Sequence, residues 1–152
     1  MKVLLQRVSR ASVRVRGVAV ASIGRGVLAL VGVESGDSDR DAEYLADKTA
    51  ELRIFPDEED RMNLGLIEAG GEALVVSQFT LAASTRRGRR PSFSAAAPPP
   101  EAERLYRAFV GRLSARGVRV ATGRFRERME VDLVNDGPVT ILLDPPPAPS
   151  AG

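Results

Sequence analysis

Two short segments of this chain combine side chains and backbone in a way that suits acyl chemistry. They are Ser77-Gln78-Phe79-Thr80-Leu81 and Asn135-Asp136-Gly137-Pro138-Val139-Thr140. The apolar run Ala73-Leu74-Val75-Val76 leads into the first. Val131, Leu133 and Val134 lead into the second, and Ile141-Leu142-Leu143 leads out of it. The end of a rigid strand is a good place to hold a reacting group still. At residues 77–80 the hydroxyls and the amide can simply satisfy local backbone groups. They can also, with nearby N–H groups, cradle a carbonyl and the oxyanion that develops on it, Gln78 donating. Thr80 is a nucleophile on paper, but a threonine hydroxyl needs an adjacent base. The chain contains no histidine and no cysteine. That excludes disulfides, thiolate chemistry, imidazole metal sites and any Ser-His-Asp or Cys-His arrangement. Thr80 is therefore read as a positioning residue. Gly137-Pro138 reads as a hairpin turn, and proline is the one residue before which a cis peptide bond is cheap.

These two segments resemble the signature motifs of the D-aminoacyl-tRNA deacylase family. Other matches follow in the expected order: Leu5-Gln6-Arg7-Val8 with Ala11-Ser12-Val13, then Arg53-Ile54-Phe55, Met62-Asn63-Leu64, Arg90-Pro91-Ser92-Phe93 and Thr122-Gly123-Arg124-Phe125. The resemblance covers roughly residues 1–144. It implies a homodimeric esterase, with its active sites at the interface, that cleaves the ester between a D-amino acid and the 3′ end of tRNA. It implies a catalytic role for Ser77, Gln78, Phe79 and Thr80, with the 2′-hydroxyl of the terminal ribose assisting. It also implies a cis Gly137-Pro138 peptide that enters the partner's site, where its carbonyls exclude L side chains and tolerate glycyl esters. Arg7, otherwise an exposed strand arginine, would hold the Gly-Pro carbonyl. The rival reading is a tRNA-binding module of the same fold without catalysis. A second rival is an esterase using Thr80 as a covalent nucleophile.

Formal charge is only +2, yet Lys2 and Lys48 are the only lysines. Arginine forks suit phosphate recognition, although compositional bias gives the same picture. The densest cluster is Arg86-Arg87-Gly88-Arg89-Arg90. It is either a solvated loop or a set of phosphate contacts to an RNA end, with Arg87 and Arg90 the two that the family pattern supports. Phe93 and Phe125 could stack on the terminal adenine or belong to the core. Glu58, Glu59 and Asp60 are adjacent carboxylates in a turn and read as solvated. No metal and no cofactor is expected.

The elements that must position these residues follow from periodicity. At 152 residues, 43% hydrophobic and 28% charged, the chain reads as one globular domain over 1–144. The Pro-rich end, 145–152, reads as a disordered tail. No apolar run reaches the length of a membrane span, and charge interrupts the first residues too soon for a signal peptide. A cytoplasmic location is expected. Residues 2–9 and 11–15 alternate as strands, and 18–23 and 27–33 read as a hairpin about Gly24-Arg25-Gly26. An amphipathic helix is predicted over 39–52 and a second from near 100 to Gly117. Strands are predicted over 73–79, 118–122, 128–134 and 139–143. This order lacks strict alternation of strand and helix. It predicts an α+β fold whose mixed, largely antiparallel sheets close into a barrel-like core with two helices packed outside.

Overall fold

A computed structural model describes residues 1–150. The chain runs through β1 (Lys2–Val15), β2 (Val18–Ile23), β3 (Gly26–Gly32), α1 (Asp39–Glu51), β4 (Phe55–Pro56), β5 (Met62–Leu64) and β6 (Glu72–Ser77). A 3-10 turn (Phe79–Ala82), α2 (Pro99–Ala115), β7 (Arg119–Thr122) and β8 (Glu130–Leu143) complete it. The larger sheet has the order β2-β1-β3-β6-β7, with β8 on the other edge of β1. It curls into a nearly closed barrel. β4 and β5 form a separate two-stranded ribbon.

Strand direction follows from the connections. β3 pairs parallel with β6, and β6 with β7. Each of these pairs is separated in the chain by a helix, the crossover that parallel strands require. All pairs made by β1 are antiparallel. The expected hairpin over residues 18–33 does not form. β2 pairs with the far half of β1, Ala11 to Val15, and β3 with its near half, Lys2 to Val8. The turn at Arg16-Gly17, where both residues have positive φ, joins β1 to β2. Gly24-Arg25 only carries the chain from one stretch of β1 to the other.

Two cores share the central strands. On one face of β3 and β6, Val27, Ala29, Val31, Ala73 and Val75 pack with Leu45, Ala46, Leu105, Phe109 and Leu113 of the helices. On the opposite face, Leu28, Leu74 and Val76 pack with Val8, Ala11 and Val13 inside the barrel. Burial on both faces explains why these strands read as continuous apolar runs. Ser38 caps α1, its N–H donating to Asp41 at 2.9 Å. A ladder of ion pairs joins the helices: Arg104 to Asp39 at 2.8 Å, Arg112 and Arg116 to Asp47 at 2.9 Å, and Arg116 to Glu51 at 2.9 Å.

Residues 145–150 carry no helix or strand. The part of the expected tail at 151–152 lies outside the described residues. Among the described residues, no helix is long and apolar enough to cross a membrane. The acidic turn 57–60 is organised by Asp57, which accepts from the N–H groups of Glu59 at 2.8 Å and Arg61 at 3.1 Å. Among the described residues, no group of three or more acidic residues is placed to hold a metal.

Candidate active site

β6 carries the first signature segment. The strand stops at Ser77, two residues before its expected end. Gln78 N–H makes a last bond to Val31 O of β3 at 2.7 Å, and the chain then folds back as Leu81 N–H donates to Gln78 O at 3.2 Å. The 3-10 turn so formed lies directly on β3. Gly32 makes the room, since a Cβ there would stand 2.8 Å from Leu81 Cβ and 3.0 Å from Gln78 O. Because Gln78 N–H is spent on the sheet, the backbone donors left at this strand end are those of Phe79 and Thr80. They sit at the open end of the turn, where first-turn donors have no partner within it. The Gln78 side-chain amide donates to Thr80 Oγ1. The partner of the Thr80 hydroxyl is thus a hydrogen-bond donor and not a base.

Beside this strand end lies a cleft of about 650 Å³. Ser77, Gln78 and Phe79 line it together with Phe93, Phe125 and Met129. Phe79 and Phe93 meet edge to face, ring centres 5.1 Å apart, and both are exposed. Phe125 is half-buried, its ring centre 5.9 Å from that of Tyr106. It packs against the core and also lines the cleft. The Tyr106 hydroxyl donates to Val75 O at 2.9 Å, two residues before Ser77, and burial pushes its pKa up to about 12. It is a fixed neutral donor that ties α2 to the strand carrying the site.

Arg86, Arg87, Arg89 and Arg90 are all exposed on a loop closed by mutual backbone bonds between Ser84 and Ser92, at 2.8 and 2.9 Å. None of the four forms an ion pair among the described residues. The loop ends one residue before Phe93, yet Arg87 and Arg90 do not line the cleft.

The second signature segment is not a hairpin turn. β8 runs straight through it, antiparallel to β1, as one 14-residue strand with an interruption. Val8 pairs with Asn135 and Gln6 with Thr140, so residues 136–139 bulge out opposite Arg7 alone. The Arg7 side chain is only 11% exposed. It donates to Asp136 O at 3.0 Å and to Ile54 O at 2.7 Å. Arg7 is therefore a largely buried strut, and the carbonyl it holds belongs to Asp136, the residue before Gly137. The other side of the bulge is tied by Asn135, which accepts from Val139 N–H and donates to Thr140 Oγ1, both at 2.9 Å. Gly137 has φ +136°, and a Cβ there would stand 2.8 Å from Val139 Cγ2 and 3.1 Å from Arg7 Nη2. Only glycine fits. The Gly137–Pro138 peptide is cis, and both residues are exposed.

Within one chain, then, Ser77, Gln78, Phe79, Phe93 and Phe125 share a cleft that Thr80 adjoins. Gly137, Pro138 and Arg7 form a separate cluster that does not line it. Sequence reading missed Met129, Arg126 and Glu127 in the cleft wall. Their neighbourhood, Arg124-Phe125-Arg126-Glu127-Arg128, reads locally as a solvated charged stretch.

The fold and the site define a class: an α+β barrel with a mainly apolar cleft at the end of a central parallel strand and a pinned backbone bulge on a long edge strand. Residues 4–144 match the family described as D-Tyr-tRNA(Tyr) deacylase, and the chain belongs to that family, a family of enzymes. A relative from Thermomicrobium roseum is 62% identical over 144 residues, covering 95% of this chain and 94% of its own length. One from Roseiflexus sp. is 61% identical over 144 residues, covering 95% and 93%. Both carry the name D-aminoacyl-tRNA deacylase. A solved structure described as c-Myc DNA Unwinding Element Binding Protein is 38% identical with a TM-score of 0.90, covering 97% of this chain and 100% of that one. A probable eukaryotic D-amino acid tRNA deacylase has the same fold at 22% identity and a TM-score of 0.80, covering 93% and 97%.

Proposed function

We propose that the protein hydrolyses the ester joining a D-amino acid to the 3′-terminal adenosine of tRNA, releasing free amino acid and tRNA. The observation that carries this reading is the strand end Ser77-Gln78-Phe79 lining an aromatic cleft in a chain of the deacylase family. The terminal adenine lies between Phe93 and Phe125, as aromatics accept unpaired bases. The ester carbonyl lies against Ser77–Thr80. N–H groups of Phe79 and Thr80 and the Gln78 amide take up the negative charge of the tetrahedral intermediate. Residues 77–80 offer no base, and the carboxylate in the cleft wall, Glu127, faces Arg16 and Arg124; the 2′-hydroxyl of the terminal ribose assists the attacking water. An aminoacyl ester is already activated, and positioning with oxyanion stabilisation supplies much of the rate.

Chiral selection belongs to the bulge. Its carbonyls accept the α-ammonium group of the substrate. An L side chain would be driven into that backbone wall and a D side chain points away, so selection works by exclusion. Glycine has nothing to exclude, and glycyl-tRNA is accepted too. The bulge lies off the cleft of its own chain, so a second copy completes the site. The protein is a homodimer in which Gly137-Pro138 of one protomer enters beside Ser77–Thr80 of its partner. An edge strand supports this: β8 pairs only with β1 and exposes Val134 and Leu142. Arg87 and Arg90 contact RNA phosphates. The domain spans 1–144, needs no cofactor and works in the cytoplasm.

The solved relative described as a DNA-element-binding protein favours a second reading, a nucleic-acid-binding module without turnover. Release of free D-tyrosine from D-tyrosyl-tRNA at catalytic protein concentration separates the two. Multiple turnovers support the deacylase. Saturable binding without release supports the module.

A further inference from the structure

The connection from β7 to β8 forms one wall of the cleft and contains its two charged lining residues, Arg126 and Glu127. Arg126 has φ +66°, a left-handed conformation that side-chain-bearing residues rarely adopt. Backbone outliers of this kind gather at functional sites. The adjacent Glu127 carboxylate lines the cleft as well, and its Oε2 is buried without a hydrogen-bond partner among the described residues. Glu127 faces Arg16 at 3.8 Å and Arg124 at 3.9 Å. Arg126 makes no ion pair among the described residues. An arginine fork thus stands uncommitted on a wall otherwise built largely from Phe125, Met129 and Val131. Arg126 itself is exposed, so the fork is open to an incoming anion.

We propose that Arg126 binds the phosphodiester on the 5′ side of the terminal adenosine. This rests on the reading of the cleft as the adenosine site. Once the base lies beside Phe125, the next group along the RNA is that phosphate, and the next residue along the protein is Arg126. A planar guanidinium matches phosphate oxygens in a bidentate manner. The contact is separate from the Arg87 and Arg90 loop, which flanks Phe93. It makes the enzyme sensitive to the first phosphate of its substrate, which a bare aminoacyl nucleoside lacks.

The test compares D-tyrosyl adenosine with its 5′-phosphate, using wild type, Arg126→Gly and Arg126→Lys. Glycine adopts positive φ freely, so the first variant keeps the backbone turn. Wild type is expected to favour the phosphorylated ester in kcat/KM by about tenfold, mostly through KM. Arg126→Gly brings the ratio close to one, and Arg126→Lys restores part of it. An unchanged ratio in Arg126→Gly, or a ratio of one in wild type, overturns the proposal. So does a variant that loses a preference for D-aspartyl over D-asparaginyl adenosine, which would assign Arg126 to an acyl carboxylate. Failure of wild type to cleave D-tyrosyl-tRNA at all would instead remove the reading of the cleft, and this inference with it.

Discussion

Replacing Gly32 with alanine tests whether the turn after β6 must lie where it does. The added Cβ would be 2.8 Å from Leu81 Cβ and 3.0 Å from Gln78 O, whereas ordinary contacts begin at 3.4 Å. Neither neighbour is the free end of a flexible side chain. The turn must therefore lift off β3 by roughly half an ångström or more, taking Gln78 to Leu81 with it. Overpacking of this kind costs about 1–3 kcal/mol, or about 2–12 °C in Tm for a chain of this size. The catalytic loss should be disproportionate, because a misplacement of about 1 Å can cost about 10²-fold. We expect kcat/KM on D-tyrosyl-tRNA to fall about 10- to 100-fold at a temperature where circular dichroism shows the variant fully folded. Gly111→Ala is the control. Its Cβ meets nothing within 4 Å, and it lies in α2, where alanine is favoured over glycine by about 1 kcal/mol. A Gly32→Ala enzyme within twofold of wild type would refute the positional role of the turn.

Thr80→Val should keep kcat within about tenfold of wild type, because the Thr80 hydroxyl is partnered by the Gln78 amide and by no base; a loss of about 10⁴-fold with a trapped acyl-enzyme would restore the nucleophile model. Asp47→Asn should lower Tm near neutral pH, because the Arg112 guanidinium, with Arg116 beside it, holds the Asp47 carboxyl below the usual carboxylate range. A depressed folded-state pKa stabilises above the unfolded value of 3.8 and is lost as pH falls through the folded value, so wild type and variant should converge in melts taken below that pH. Arg87→Ala and Arg90→Ala should each flatten the log–log salt dependence of tRNA binding by about 0.7, and two unchanged slopes would place the RNA elsewhere.

Local periodicity carried the helices and most strands, because apolar spacing and a stop such as Gly117 are signals read within a single element. Pairing was harder to read. Residues 18–33 have every local mark of a hairpin, but β1 is long enough to take β2 and β3 side by side along one edge, and nothing near Gly24 records that. Gly137-Pro138 likewise looks like a turn. What makes it a bulge in a continuous strand is Arg7, about 130 residues away in the chain, together with the side chain of Asn135. The early end of β6 was equally hidden, since the turn that ends it packs on Gly32 of another strand. The aromatic and polar residues of the cleft were legible from their motifs. Arg126 and Glu127 were not, because a charged stretch looks the same whether it faces open solvent or the mouth of a site.

Chirality is the centre of the account, and the most direct measurement is the ratio of kcat/KM for D-tyrosyl-tRNA to that for L-tyrosyl-tRNA, on one tRNA and one preparation of the protein. Exclusion of the L side chain by a backbone wall predicts rapid release of D-tyrosine and no release of L-tyrosine above the spontaneous rate. Comparable cleavage of both esters, or cleavage of neither, would contradict it.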